Sequence, residues 1–85
     1  MGGGTAKRIT VAYFAMLREQ RGLERETVET VADTPEALWE ELREAHGLGL
    51  SRAMLMAAIN GEFGAWDTLL EDGDEVVFLP PVAGG

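Results

Sequence analysis

The sequence predicts an α+β fold in which a small mixed sheet packs one face against a single main helix. Three observations lead to this class. Short runs with alternating apolar residues lie on both sides of one amphipathic stretch, the 85 residues suffice for one small core, and 46% of them are hydrophobic. We find no internal repeat and no domain boundary, so one sheet and one helix must bury each other.

The first third predicts a hairpin. Lys7–Phe14 has a two-residue apolar period, and Glu24–Val31 alternates more weakly. Ala15–Gly22 joins them as a loop or short helical turn that ends at Gly22. The apolar side chains of the first run are expected to face the helix. They are Ile9, Val11 and Tyr13.

The main helix begins in Asp33–Glu36, where Thr34 can cap the first turn and Pro35 suits the first helical position. Gly47 is typical of the residue that ends a helix. The apolar stripe expected to face the sheet consists of Leu38, Trp39, Leu42 and Ala45.

The second half predicts three more strands. A connector over Leu48–Arg52 precedes a strand over Leu55–Asn60, and Asn60-Gly61 signals a tight turn into a return strand over Glu62–Trp66. A turn-rich link follows over Asp67–Gly73, and the last strand covers Glu75–Leu79. Both Trp39 and Trp66 are expected to pack in the core, and so are Met54 and Met56.

The resulting order is β-β-α-β-β-β. If the first and last strands pair in parallel at the centre of the sheet, this order describes a β-grasp (ubiquitin-like) roll: a mixed sheet with one main helix packed on one face.

Three apolar residues fall on the side of the strands opposite to the helix. Phe14 follows Tyr13, Leu79 follows Phe78, and Phe63 follows the Asn-Gly turn, where a large ring is unexpected. We predict that Phe14, Phe63 and Leu79 form an exposed binding patch beside the end of the last strand. The alternatives are that a loop covers this face or that the assumed register is shifted by one residue.

The sequence given ends in Pro80-Pro81-Val82-Ala83-Gly84-Gly85. Two prolines cannot extend a sheet, and two glycines form the narrowest peptide available. Six residues reach about 20 Å at roughly 3.3 Å each. We predict an ordered domain over residues 7–79, a flexible reactive tail over 80–85 and a disordered extension over 1–6. The alternative is an idle, frayed terminus.

Composition excludes several functions. The net charge of −8 argues against nucleic acid and membrane partners and favours a basic partner surface, unless the acids only solubilise the domain. Without cysteine the chain has no catalytic thiol, and no residue set has metal-ligand spacing. We find neither a nucleophile-base pair nor a signal peptide, and predict a cytoplasmic protein that is not catalytic alone and binds no cofactor.

The tail, the Asp72-Gly73-Asp74-Glu75-Val76 segment before it, Leu17-Arg18-Glu19 and Ala58-Ile59-Asn60 together resemble the small subunit of molybdopterin synthase. The resemblance covers about residues 7–85. It implies a sulfur carrier whose terminal Gly85 carboxylate is adenylated by an E1-like enzyme that consumes ATP. A desulfurase or rhodanese-like donor then converts it to a thiocarboxylate.

The resemblance also implies partners. The carrier docks on a large subunit in a heterotetramer and delivers sulfur to precursor Z during molybdenum cofactor biosynthesis. Phe14, Phe63 and Leu79 would form the docking patch, and Pro80, Pro81, Val82, Ala83 and Gly84 would guide the tail. Three alternatives stay open: a ubiquitin-like modifier conjugated through Gly85, a sulfur carrier for thiamine or tRNA thiolation, and a β-grasp interaction domain whose tail does not react.

Overall fold

The computed structural model describes residues 6–80, which form five strands and two helices. A 3-10 turn, Arg52–Met54, precedes the third strand. The strands are β1 (Lys7–Tyr13), β2 (Arg25–Thr30), β3 (Met56–Ile59), β4 (Glu62–Gly64) and β5 (Glu75–Leu79). The helices are α1 (Met16–Arg21) and α2 (Pro35–His46). The predicted class, an α+β roll with one main helix, is confirmed.

The strands lie in the order β2-β1-β5-β3-β4. β1 and β5 pair in parallel, while β1 with β2, β3 with β4 and β3 with β5 are antiparallel. The last strand therefore inserts between the two hairpins, as the sequence predicts. This insertion matters for function, because the chain leaves the domain from the centre of the sheet and not from an edge.

α2 forms where the sequence places it. The Thr34 hydroxyl accepts a hydrogen bond from the Ala37 amide at 3.2 Å, and Gly47 ends the helix with a φ of 65°. Leu38, Trp39 and Leu42 are buried, but Ala45 is exposed, so the apolar stripe is one turn shorter than expected. Leu48, which follows the helix, is buried instead of Ala45.

The core lies between α2 and one face of the sheet. The Trp39 and Phe78 rings lie 4.9 Å apart, Trp66 stacks on Phe78 at 6.1 Å, and the Trp39 indole donates to the Leu50 carbonyl at 3.1 Å. The expectation that both tryptophans pack in the core is confirmed. Leu50 comes from the connector after α2, so this hydrogen bond also ties the connector to the core.

The methionine prediction was wrong. Met54 and Met56 are 52% and 54% exposed. Met54 belongs to the 3-10 turn, and Met56 points away from α2 because its neighbour Ala57 takes the core position of β3. A small residue suffices there, since the large Phe78 ring lies opposite Ala57 in the register.

Four of the five strands are shorter than predicted. β3 stops at Ile59 because Asn60 and Gly61, with φ of 53° and 88°, make the tight turn that the Asn-Gly pair indicates. β4 ends at Gly64 and does not reach Trp66. β1 stops at Tyr13 because Ala15 turns the chain with a positive φ, and β2 is one residue shorter at each end.

Candidate functional site

The sheet has one face against α2 and one open face, and strand alternation assigns each residue to one of them. The open face carries a row of four residues across four strands. Val77 of β5 lies between Ala12 of β1 and Ala58 of β3, and Ala58 lies opposite Phe63 of β4. Ala12, Val77 and Ala58 each follow a core residue in their strand, and the register with Ala58 places Phe63 on the same face.

A second row lies beside the first, toward the end of β5. Leu79 pairs with Met56, and the parallel register that pairs Tyr13 with Phe78 places Phe14 next to Leu79. Phe14 and Phe63 are 53% and 68% exposed, whereas Leu79 is half-buried. The structure thus brings all three sequence-predicted patch residues onto one face, with Phe14 and Leu79 adjacent and Phe63 two strands from Leu79.

Two further residues belong to this surface and were missed by the sequence reasoning. Met56 and Val77 fill the space between Leu79 and Phe63. Val77 could have been predicted from the sequence, because it lies two residues before Leu79 and so faces the same side of the strand. Met56 could not, because its position depends on the pairing of β3 with β5. We name the set the open-face patch: Phe14, Met56, Phe63, Val77 and Leu79. Exposed apolar surface of this kind marks an interaction site.

A tight turn sets the direction in which the chain leaves Phe14. The Phe14 carbonyl accepts a hydrogen bond from the Leu17 amide at 3.1 Å, and Ala15 between them has φ 53° and ψ −126°. This is the first central position of a type II′ turn, which glycine normally occupies. Ala15 therefore holds backbone strain directly beside the patch.

Replacing Ala15 by glycine is expected to raise the free energy of unfolding by about 1 kcal/mol. Relief of roughly 1–3 kcal/mol of strain outweighs the roughly 0.4–1 kcal/mol by which glycine's freedom favours the unfolded chain. Urea denaturation at pH 7 measures the difference. Gly22→Ala is the matched control, because Gly22 has a φ of 85° at the other end of α1 and the variant should lose stability. A destabilised Ala15→Gly protein would contradict the strain at this turn.

A buried polar network underlies the same corner. The Tyr13 hydroxyl donates to the Glu26 carboxylate at 2.6 Å, and the Arg21 guanidinium donates to both oxygens of Glu26, at 2.8 and 3.0 Å. The side chains of Arg21 and Glu26 are only 19% and 16% exposed. The network joins β1, the end of α1 and β2, so it anchors both sides of the turn that carries Phe14.

The network shifts the pKa of each member. Burial, reinforced by the hydrogen bond to Glu26, raises the pKa of Tyr13 well above its usual value. The hydrogen bond to Glu26 raises the pKa of Arg21. Burial by itself would raise the pKa of Glu26, but hydrogen bonds from Arg21 and Tyr13 outweigh burial and hold it below the usual value. All three groups therefore keep their neutral-pH charge states.

Glu26→Gln is expected to lower the free energy of unfolding by about 2 kcal/mol at pH 7, since it weakens hydrogen bonds to a charged group. The folded pKa of Glu26 lies below the usual 4.5, so its contribution is complete above pH 4.5 and is lost as the pH falls through the folded pKa. Denaturation curves at pH 7 and pH 3 should show the gap between wild type and variant narrowing in acid. A gap that stays constant or widens would contradict this coupling.

The segment before β5 acts as an anchor. The Asp72 carboxylate accepts from the Arg8 amide at 2.8 Å, and the Gly73 amide donates to the Arg8 carbonyl at 2.8 Å. Asn60 bonds Asp74 through its amide nitrogen and accepts from the Glu75 amide at 2.9 Å. The beginning of β5 is thus tied to both neighbouring strands, which determines where β5 ends.

The predicted tail starts at that end. Pro80 follows β5 directly and is half-buried. Pro81, Val82, Ala83, Gly84 and Gly85 lie outside the described residues, as does nearly all of the predicted extension over 1–6. Pro80 has no amide hydrogen and cannot continue the ladder, so the predicted tail begins directly after the patch residue Leu79.

Within residues 6–80, no group of three or more His, Asp or Glu side chains could hold a metal ion. No helix in this range is long and apolar enough to cross a membrane. His46 is exposed in the last turn of α2, where its charged form complements the helix dipole.

Comparison with known families agrees with this geometry. Residues 11–85 match the model described as the ThiS family. The chain belongs to the ThiS family. The match begins within β1 and includes the residues of the tail, so it covers both halves of the candidate site.

Two curated relatives in this family carry the name molybdopterin synthase sulfur carrier subunit. The Escherichia coli (strain K12) protein is 39% identical over 80 residues, which are 91% of this chain and 99% of the relative. The Homo sapiens protein is 31% identical over 83 residues, 92% of this chain and 94% of the relative. These names confirm the resemblance drawn from the sequence motifs.

Two solved structures similar to the ThiS-family chain carry different descriptions. A chain of the complex of subunits 1 and 2 of molybdopterin-converting factor from Helicobacter pylori is 28% identical, with a TM-score of 0.64 over 92% of this chain and 99% of that one. Small archaeal modifier protein 1 from Haloferax volcanii is 27% identical, with a TM-score of 0.76 over 92% and 99%. Both likenesses support the fold.

Proposed function

We propose that this ThiS-family chain is a molybdopterin synthase sulfur carrier subunit. The observation that carries the proposal is that relatives with this name align over more than nine-tenths of the chain. The open-face patch supports it, since a carrier must dock on its partners beside the group that reacts. Val77 and Leu79 of that patch belong to β5, which ends directly before the proposed tail.

The reacting group in this proposal is the carboxylate of Gly85. A carboxylate oxygen attacks the α-phosphate of ATP on an E1-like enzyme, which releases pyrophosphate and leaves an acyl-adenylate. The terminal sulfur of a persulfide on a desulfurase or rhodanese-like donor then attacks the acyl carbon, and AMP departs to leave an acyl disulfide. A thiol of the donor attacks the donor-side sulfur of that disulfide, so the S–S bond breaks, a new disulfide forms on the donor and the thiocarboxylate is released. The carrier needs only an accessible terminus, because the partner supplies ATP and the catalytic groups.

Gly84 keeps the peptide next to this carboxylate free of a side chain, so that a narrow active site can close around it. Pro80 and Pro81 hold the path extended, and Val82 and Ala83 complete it. The tail then delivers sulfur to precursor Z inside the large subunit, in the cytoplasm and in a heterotetramer.

Phe14, Phe63 and Leu79 are the docking residues for both the activating enzyme and the large subunit. One shared surface makes the two complexes mutually exclusive, so the carrier must leave one partner before it binds the next. In the Helicobacter pylori complex a subunit similar to this chain is bound to a second subunit, which supports the assignment of a large-subunit partner.

A second candidate function is a protein modifier joined to lysine through Gly85. The likeness to small archaeal modifier protein 1 favours it, and the same activated tail would serve both functions. Its distinguishing product is an isopeptide-linked conjugate.

The test is the intact mass of the protein purified under gentle conditions from cells that express it with its own activating enzyme. Replacement of one oxygen by sulfur at Gly85 supports a carrier. Conjugates on lysine, without the thiocarboxylate form, would favour the modifier. A purified system of ATP, E1-like enzyme and sulfur donor that leaves the mass unchanged would overturn both.

A further inference from the structure

A notch of about 240 Å³ opens beside the open-face patch, where the end of β1 meets α1 and the beginning of β2. Its apolar lining includes Ala12, Phe14 and Ala15. Phe14 belongs to both the notch and the patch, so a protein segment lying on the patch would also cover the notch.

The charged lining of the notch differs in sign from the chain as a whole. It contains two guanidinium groups, Arg18 and Arg25, and one carboxylate, Glu24. The full chain has a net charge of −8. Glu75 pairs with Arg25, so the notch offers a partner chiefly the guanidinium of Arg18, on a protein that is acidic as a whole and directly beside the surface that we expect partners to occupy.

The two arginines are differently engaged. Arg25 pairs with Glu75 across the open face at 2.5 Å. Arg18 reaches Glu24 only at 3.9 Å, beyond hydrogen-bond distance, and this is its one ion pair within residues 6–80. The Arg18 side chain is 57% exposed. Its guanidinium thus presents donors toward the notch in the fork geometry that matches a carboxylate.

We propose that the notch receives an acidic side chain of the large subunit, which binds Arg18 while neighbouring apolar residues cover Phe14. This inference rests on the proposed function and adds the chemistry of the partner. It also contradicts the expectation from net charge, because an acidic carrier as a whole would attract a basic surface. For a charge substitution at Arg18 or Glu24, the local charge and the net charge of the chain therefore predict opposite changes in affinity for the large subunit.

The test measures the affinity and association rate of the purified chain for its large subunit at fixed salt. Arg18→Glu should weaken binding roughly tenfold, because a repulsive pair replaces an attractive one at the interface. Glu24→Gln should tighten binding about two- to threefold, because it removes the carboxylate that competes for Arg18. If the partner surface facing this corner were basic, both signs would reverse.

Arg8→Glu is the matched control. Arg8 lies on the same open face and is 74% exposed, but it precedes Phe14 by six residues, roughly 20 Å along an extended strand. It changes the net charge by the same amount, so we expect binding within about twofold of wild type, as for a distant surface charge. Unfolding curves establish that each variant keeps the fold, and Arg18→Gln replaces Arg18→Glu if the latter does not.

An Arg18→Glu protein that binds as well as wild type, or better, overturns the inference, and so does weaker binding by Glu24→Gln. Equal losses in Arg18→Glu and Arg8→Glu also overturn it, because they reveal an effect of net charge alone. A wild-type chain that does not bind the large subunit overturns the proposed function first. The two failures are therefore distinguishable.

Discussion

Deletion of Gly85 is expected to abolish sulfur loading and leave the stability of the domain unchanged. The proposed chemistry occurs at the terminal carboxylate, and without Gly85 the new terminus is one residue short of the adenylating site. The buried core runs from Ile9 to Phe78 and β5 ends at Leu79, so removal of residue 85 takes nothing from the core. Mass spectrometry after incubation with ATP, E1-like enzyme and sulfur donor measures loading, and urea denaturation measures stability.

The matched control is deletion of Gly2, which removes the same residue type from the opposite terminus. That variant should load like wild type. Loading of the Gly85-deleted chain to the wild-type extent would contradict the assignment of the terminal carboxylate. A loss of loading together with a loss of folding would show instead that residue 85 supports the domain.

The second large effect is expected at Leu79. Leu79→Asp places a carboxylate in the open-face patch between Phe14 and Met56, where it would be desolvated on docking without a partner. We expect the affinity for the large subunit to fall about 30-fold or more, which corresponds to roughly 2 kcal/mol for an interface hot spot. The activating enzyme should lose affinity as well, because the same patch serves both complexes. Calorimetric titration against each partner measures both losses.

Leu69→Asp is the matched control, because Leu69 is 74% exposed and lies in the link before β5, outside the open-face patch. It should bind both partners like wild type. If Leu79→Asp disturbs the central strand, Phe63→Asp serves as the second patch variant. Phe63 is 68% exposed on an edge strand, so its substitution should leave the fold intact. Normal binding of both partners by these patch variants would show that the patch is not the docking surface.

Much of the fold follows from local patterns. The alternation of Ile9, Val11 and Tyr13, the Thr34-Pro35 helix start and the Asn60-Gly61 turn each involve near neighbours in the chain, and each appears in the structure where expected. The parallel pairing of β1 with β5 was also predictable, since a β-β-α-β-β-β order leaves few ways to bury one helix. The strand ends were less predictable, because they depend on where a pairing partner stops.

The residues of the candidate site also differ in how far local sequence patterns predict them. Phe14 and Leu79 were predictable, because each directly follows a core residue in its strand and so must face away from the helix. Met56 was placed in the core wrongly, because its short strand has apolar residues of both parities and only the pairing with β5 shows which face it takes. The strain at Ala15 had no signal, since alanine in a loop gives no indication of a positive φ.

The sequence by itself determined the class of the fold, the placement of Phe14 and Leu79 on the face away from the helix, and the family through the motifs that lead into the Gly-Gly ending. These features depend on the short-range periodicity of apolar residues and on residue types, such as proline and glycine, that favour particular backbone conformations. Only the tertiary structure decided that Phe14, Met56, Val77 and Leu79 form one surface and that Arg18 and Arg25 meet beside it. Those residues come from distant parts of the chain, and their contacts exist only once β5 has inserted between the two hairpins.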